Sequence, residues 1–261
     1  MALVLVAGIG AGTVNAIVGS GTLITFPTLV AFGVPPVSAT MSNALGLIPG
    51  NVTGSWGYRR ELSGQRRRLL QLVPASLLGA LTGAFLLLHL PEDAFVAIVP
   101  VLLVLALVLV VAQPALQAHL RRRRERAGTT DEPRAMGTGR FLAVLAVTYL
   151  CGVYGGYFAA AQGILLVGLL GLVLPETIQR INGAKNVLVL VVNLVAATTY
   201  VVVDLVSGDS RIEWAAVGLI AAGSLVGGFL GAAVGRRLPP WLLRSAIVLL
   251  GLVALYTILT L

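Results

Sequence analysis

Apolar runs recur along almost the whole chain, each long enough to cross a hydrocarbon core of ~30 Å, and that recurrence leaves few folds open. The runs fall at 2–33, 36–58, 69–90, 94–112, 141–174, 184–206, 212–235 and 240–261. In lipid the backbone has no water to bond, so such runs are expected to be helices. Charged residues make up 11% of the sequence, where a soluble domain carries about 25%. The expected class is an all-α polytopic membrane protein, seated in the bilayer of the cell (cytoplasmic) membrane. The opening "MALVLVAGIGAG" lacks a basic n-region and is expected to begin the first span rather than to be a cleaved leader.

The formal charge of +8 does not call for a nucleic acid, because the basic residues sit in short connections between apolar runs. The bias of Lys and Arg toward cytoplasmic loops accounts for that placement. "RRELSGQRRR" at 59–68 and "RRRRER" at 121–126 are therefore expected inside, as is "GRRLPP" at 235–240. The acidic turn within "HLPEDAF" and the loop "SGDSRIE" at 207–213 are expected outside, which puts both termini outside. The polar, basic stretch 113–139 reads as a cytoplasmic linker between two halves, 1–112 and 140–261. A single cysteine, Cys151, excludes an intrachain disulfide or a CxxC pair, and His89 and His119 lie near span ends. No metal or other cofactor is expected. A homo-oligomer stays open.

Two runs, 2–33 and 141–174, are too long for one simple crossing, and glycine interrupts each near its middle. In "AIVGSGTLITFP", residues 16–27, the weakest helix former stands twice where a span should be strongest. The halves also resemble each other. At a shift of 142 positions Gly21 falls on Gly163, Asn51 on Asn193 and Tyr58 on Tyr200, while Thr40 meets Asn182 and Asn43 meets Lys185. Loop charge reverses between the halves: basic 59–68 corresponds to 207–213, and the acidic turn 91–93 to basic 236–237. Reversal of that kind is expected of inverted-topology repeats, which recur in secondary transporters.

Counting crossings then bends 141–174 back on itself near Ala161-Gln162-Gly163, and 2–33 near Gly19-Ser20-Gly21. Each half is expected to be a broken or re-entrant helical hairpin followed by three transmembrane helices. Two such tips, with unpaired N–H groups and positive helix ends, would suit a small anion. Close helix packing through small residues is the alternative role for these glycines.

Polar residues inside the spans supply the candidate ligands. Lys185 opens an otherwise apolar run, where a lysine is costly unless it snorkels or meets an anion. Asn182, Lys185, Asn186 and Asn193 follow helical spacing and share one face. In the first half Thr40, Asn43 and Asn51 do likewise, with Ser42 beside them. Ser20, Gly21, Thr22, Gln162 and Gly163 occupy the expected turns, with Tyr154 nearby. Their donors suit anion oxygens or, equally, the capping of helix ends. Asn15 and Thr25 are weaker candidates. The acidic residues all lie in loops or near span ends, Glu176 and Asp204 among them, so no proton relay of intramembrane carboxylates is visible.

"AGTVNAIVGSGTLITFPTLVAFGVPPVSATMSNALG" followed by "GNVTGSWGYRREL" resembles the first repeat of the sulfite exporter TauE/SafE family. "GVYGGYFAAAQGILLVGLLGLVLPETIQRINGAKNVLVLVVNLVAATTY" resembles its second repeat, including a lysine-and-asparagine pattern at Lys185. The resemblance implies transport of small anions such as sulfite or organosulfonates, by a protein that is not an enzyme. A passive anion channel is the alternative. An intramembrane serine protease would need Gly-x-Ser-Gly and a histidine inside a span. Val18 stands at the first glycine of "VGSG", and no span interior holds histidine.

Overall fold

The computed structural model describes residues 1–126, 137–174, 176–234, 245, 247–249, 251–253 and 255–256. The turn expected at 235–240, most of the last apolar run and the centre of the expected linker, 127–136, lie outside the described residues. All regular structure among the described residues is helical. Among the described residues, five helices are long and apolar enough to cross a membrane: α5 (Arg66–His89), α6 (Glu92–Arg126, apolar through Leu120), α7 (Thr138–Tyr157), α9 (Ile178–Ser207) and α10 (Trp214–Val234). The apolar helices α1 (Ala2–Ile17), α2 (Thr22–Ala31) and α8 (Gln162–Val173) are too short for that. Leu and Val side chains such as Val101, Val108, Leu150 and Leu205 stand exposed along the long helices, which suits lipid and not water.

The two over-long runs are each broken, as expected, and each becomes a pair of helices: α1 and α2, then α7 and α8. Arg140 at the start of α7 donates through Nε to Val173 O at the end of α8, so this hairpin returns to the level at which it began. The helix α6 continues through 113–126, into the stretch read as linker, because Ala, Leu, Gln and Arg there are strong helix formers.

The run 36–58, expected as one crossing, is two helices, α3 (Pro36–Gly46) and α4 (Ile48–Gly57). Two causes act together. Pro49 has no N–H to return to the preceding turn. Beside it the Ser224 hydroxyl of α10 enters the helix ladder, donating to Gly46 O at 2.7 Å and accepting from Gly50 N at 3.2 Å. A side chain inserted in this way replaces the direct bond between Gly50 and Gly46 and bends the helix. At the corresponding place of α9, Ser76 of α5 only reaches Leu188 O, at 3.4 Å, and α9 runs through unbroken.

Packing follows the same pairing in both halves. α1 lies along α10 and α5 along α7, while α4 meets α10 and α5 meets α9. Lipid tails are as apolar as leucine, so helices here must gain by close approach. Small residues permit it. A Cβ added at Gly12 of α1 would lie 2.7 Å from Ser224 Cα, and one at Gly152 of α7 would lie 2.7 Å from Ser76 O.

Candidate functional site

The two helix breaks have the same backbone path. At the end of α1, Val18 N and Gly19 N both bond Val14 O, at 2.7 and 3.2 Å. At the end of α7, Phe158 N and Ala159 N both bond Tyr154 O, at 2.9 and 3.2 Å. The chain then turns through a left-handed residue, Gly19 at φ +83° and Ala159 at φ +60°. These turns correspond at a shift of 140 positions, two fewer than the shift that relates the flanking helices. The second break therefore centres on 158–161: of the expected Ala161-Gln162-Gly163, Ala161 lies within it, while Gln162 and Gly163 open α8.

The tips touch. Gly163 N donates to Gly19 O at 3.1 Å, and a Cβ on Gly19 would lie 2.5 Å from Gly163 Cα. Gly19, Ser20, Gly21, Ala161, Gln162 and Gly163 are all buried in protein, the setting in which irregular backbone is tolerated at membrane depth.

Lys185 of α9 lies beside this contact. A Cβ on Gly163 would come within 2.9 Å of its Cδ. The lysine is fully enclosed and does not snorkel: Nζ donates to Asn15 O at 3.1 Å and Ala16 O at 3.3 Å. Asn186 Nδ2 also reaches Ala16 O, at 3.4 Å. These are carbonyls of the last turn of α1, which have no partner within the helix, and the cation sits at the negative end of the helix dipole. The ion pairs Arg68–Glu176, Arg180–Glu176 and Arg211–Asp209 leave Lys185 out. Among the described residues its amino group is met by carbonyl oxygens. The corresponding carbonyl of the second break, Gly156 O, accepts from the Tyr200 hydroxyl, also on α9.

Other expected residues gather around the first break. Asn15 Nδ2 donates to Asn51 Oδ1, and Asn15 Oδ1 accepts from Gly21 N at 3.2 Å, so Asn15 ties α4 to the start of α2. Asn43 donates to Thr22 Oγ1 at 3.0 Å and accepts from Thr25. Among the described residues, Ser20 Oγ, Asn51 Nδ2, Asn193 Oδ1, the Tyr154 hydroxyl and both amide atoms of Gln162, whose side chain packs on Gly155, are buried polar atoms without a hydrogen-bond partner. Stranded buried polar atoms are costly and are commonly met by a ligand or ordered water.

Several candidates lie in other surroundings or make structural hydrogen bonds. Thr40 bonds back to Pro36 O at 3.0 Å, within its own helix. Ser42 accepts from Glu213 N at 2.9 Å. Asn182 is half-buried and stands apart from the network. Asp204 accepts from Arg211 N at 2.6 Å, which fixes the connection after α9. Sequence reasoning gave no role to Tyr200 beyond its match with Tyr58, and it missed Ala159 as the left-handed residue.

The sequence profile of the sulfite exporter TauE/SafE family matches residues 4–257, both breaks and Lys185 included. The chain belongs to the TauE/SafE family. Among its relatives is a protein of Haemophilus influenzae described as a probable membrane transporter protein, 26% identical over 254 residues that cover 96% of this chain and 91% of the relative. Another is the probable membrane transporter protein YfcA of Escherichia coli K12, 26% identical over 236 residues, or 87% of this chain and 76% of YfcA. No solved structure matches the chain. This TauE/SafE protein is thus a multi-pass membrane transporter and not an enzyme.

Proposed function

We propose that this TauE/SafE protein is a secondary carrier that exports a small anion, sulfite or an organosulfonate, across the cytoplasmic membrane by alternating access. One observation carries the reading: the buried amino group of Lys185, bonded among the described residues to carbonyl oxygens and to no carboxylate, lies against the contact between the two helix breaks. A desolvated cation held by dipoles alone is a strong site for an oxyanion. The unpartnered atoms of Ser20, Asn51 and Gln162 offer further donors, with Gly21, Thr22 and Gly163 at the tips and Asn43, Asn186 and Asn193 on the flanking helices. Thr40 and Asn182 lie at the margin of this set.

The carrier reading takes the two halves as inverted-topology repeats, with the basic connections cytoplasmic and both termini outside. The paired packing of α1 with α10 and α5 with α7, and the shared path of the breaks, support it. Flux into proteoliposomes, measured across a panel of sulfite, thiosulfate, sulfonates and carboxylates, tests it. Saturable uptake and counterflow for a sulfur oxyanion are the expected results. Ohmic conductance without counterflow would make the protein a channel, and no flux of any anion would overturn the reading.

A further inference from the structure

Away from the breaks, the connection between α4 and α5 is stitched onto the start of α9. Glu176 holds Arg68 Nη1 at 2.8 Å through one oxygen and Arg180 Nε at 2.7 Å through the other. Arg180 Nη1 donates to Ser63 O at 3.2 Å, and the buried Gln65 amide donates to Glu61 O at 2.8 Å and Arg180 O at 2.9 Å. Arg68 belongs to the first half of the chain, Glu176 and Arg180 to the second. One carboxylate therefore joins the halves.

This cluster lies close to the candidate site. Arg180 precedes Lys185 by five residues on α9, a rise of ~7.5 Å. Between them sits Gly183, where an added Cβ would meet Glu61 Cβ and Leu62 Cδ2 at 3.4 Å. The 58–65 connection thus covers α9 just outside Lys185.

At the connection between α9 and α10 the ion pair found among the described residues stays within the connection. Residues 208–213 reach α3 through a neutral bond, Glu213 N to Ser42 Oγ, while Arg211 pairs with Asp209 inside the connection itself. Arg68, Glu176 and Arg180 are partly exposed, so water and salt screen their attraction. Such pairs bias a closed position and still release at thermal energies.

We propose that the Arg68–Glu176–Arg180 cluster is a latch that keeps the 58–65 face of the site closed, so that the 208–213 face opens first. The proposal rests on the carrier reading, because it assigns the latch to that same site. The test is a Gly183→Cys reporter in a Cys151→Ala background, in lipid nanodiscs, labelled with a charged maleimide that does not enter lipid. Glu176→Gln is expected to speed labelling about three- to fivefold, as is raised salt without the substitution. Arg68→Gln removes the opposite partner and is expected to do the same, which guards against a fold defect peculiar to one variant. Equal labelling rates with and without each substitution would overturn the latch. The labelling uses no transported anion, so a failed latch and a failed carrier reading are separate results.

Discussion

At the first helix break the left-handed residue is Gly19, pressed against Gly163 of the other tip. At the second it is Ala159, which carries a side chain in the same left-handed conformation. The carbonyls behind the two turns differ as well. Those of α1 are met by the Lys185 cation and the Asn186 amide, that of Gly156 by the neutral Tyr200 hydroxyl. A shared backbone path has thus been fitted out differently. The first break carries the charge and the close contact, and the second is the plainer turn. On the proposed reading, this difference makes the first break the place where the requirements on residue type are strict.

The largest effect is expected from Lys185→Ala. Removing a buried charged donor costs about 2–5 kcal/mol of ligand binding, so anion flux should fall about 100-fold while the protein stays monodisperse. Lys185→Met, which fills the same space, should lose flux equally. Near-normal flux in either variant would reduce Lys185 to a cap for α1 and remove the contrast between the breaks.

Gly19→Ala comes next. It combines left-handed strain with a Cβ placed 2.5 Å from Gly163 Cα, and should cost about 3 kcal/mol of stability together with most of the flux. Thermal unfolding in detergent and flux in vesicles check it. Unchanged values would mean that the tips part without consequence.

The smallest effect is expected at the matching position. Ala159→Gly relieves strain of about 1 kcal/mol but also loosens the unfolded chain, so the midpoint of unfolding should move by no more than a few degrees and flux should persist. A loss of flux there would make the second turn as exacting as the first.

The sequence made some of this legible through residues whose cost is hard to explain otherwise. Glycines 19 and 21 inside an apolar run marked the first break, and a lysine inside a span marked the candidate site, because both are expensive unless the fold requires them. The second break was displaced because Ala159 takes the left-handed turn, and alanine carries no local signal for that conformation. The division of α3 from α4 was hidden for a different reason. Pro27, Pro74, Pro100 and Pro114 all lie inside unbroken helices, so Pro49 by itself did not announce a break. The Ser224 hydroxyl that completes it comes from 174 residues further along the chain. Likewise, local pattern could not show that Lys185 would rest on the end of another helix.

The hydroxyl wedged between Gly46 and Gly50 has a mechanical consequence. The arm built from α3 and α4 has an elbow, held by two hydrogen bonds that can be exchanged for one direct bond, while α9 is a stiff shaft. Under the carrier reading, a bending strain on the first half would be taken up at Leu47, beside α10, whereas Lys185 and Tyr200 would move together on the unbroken α9.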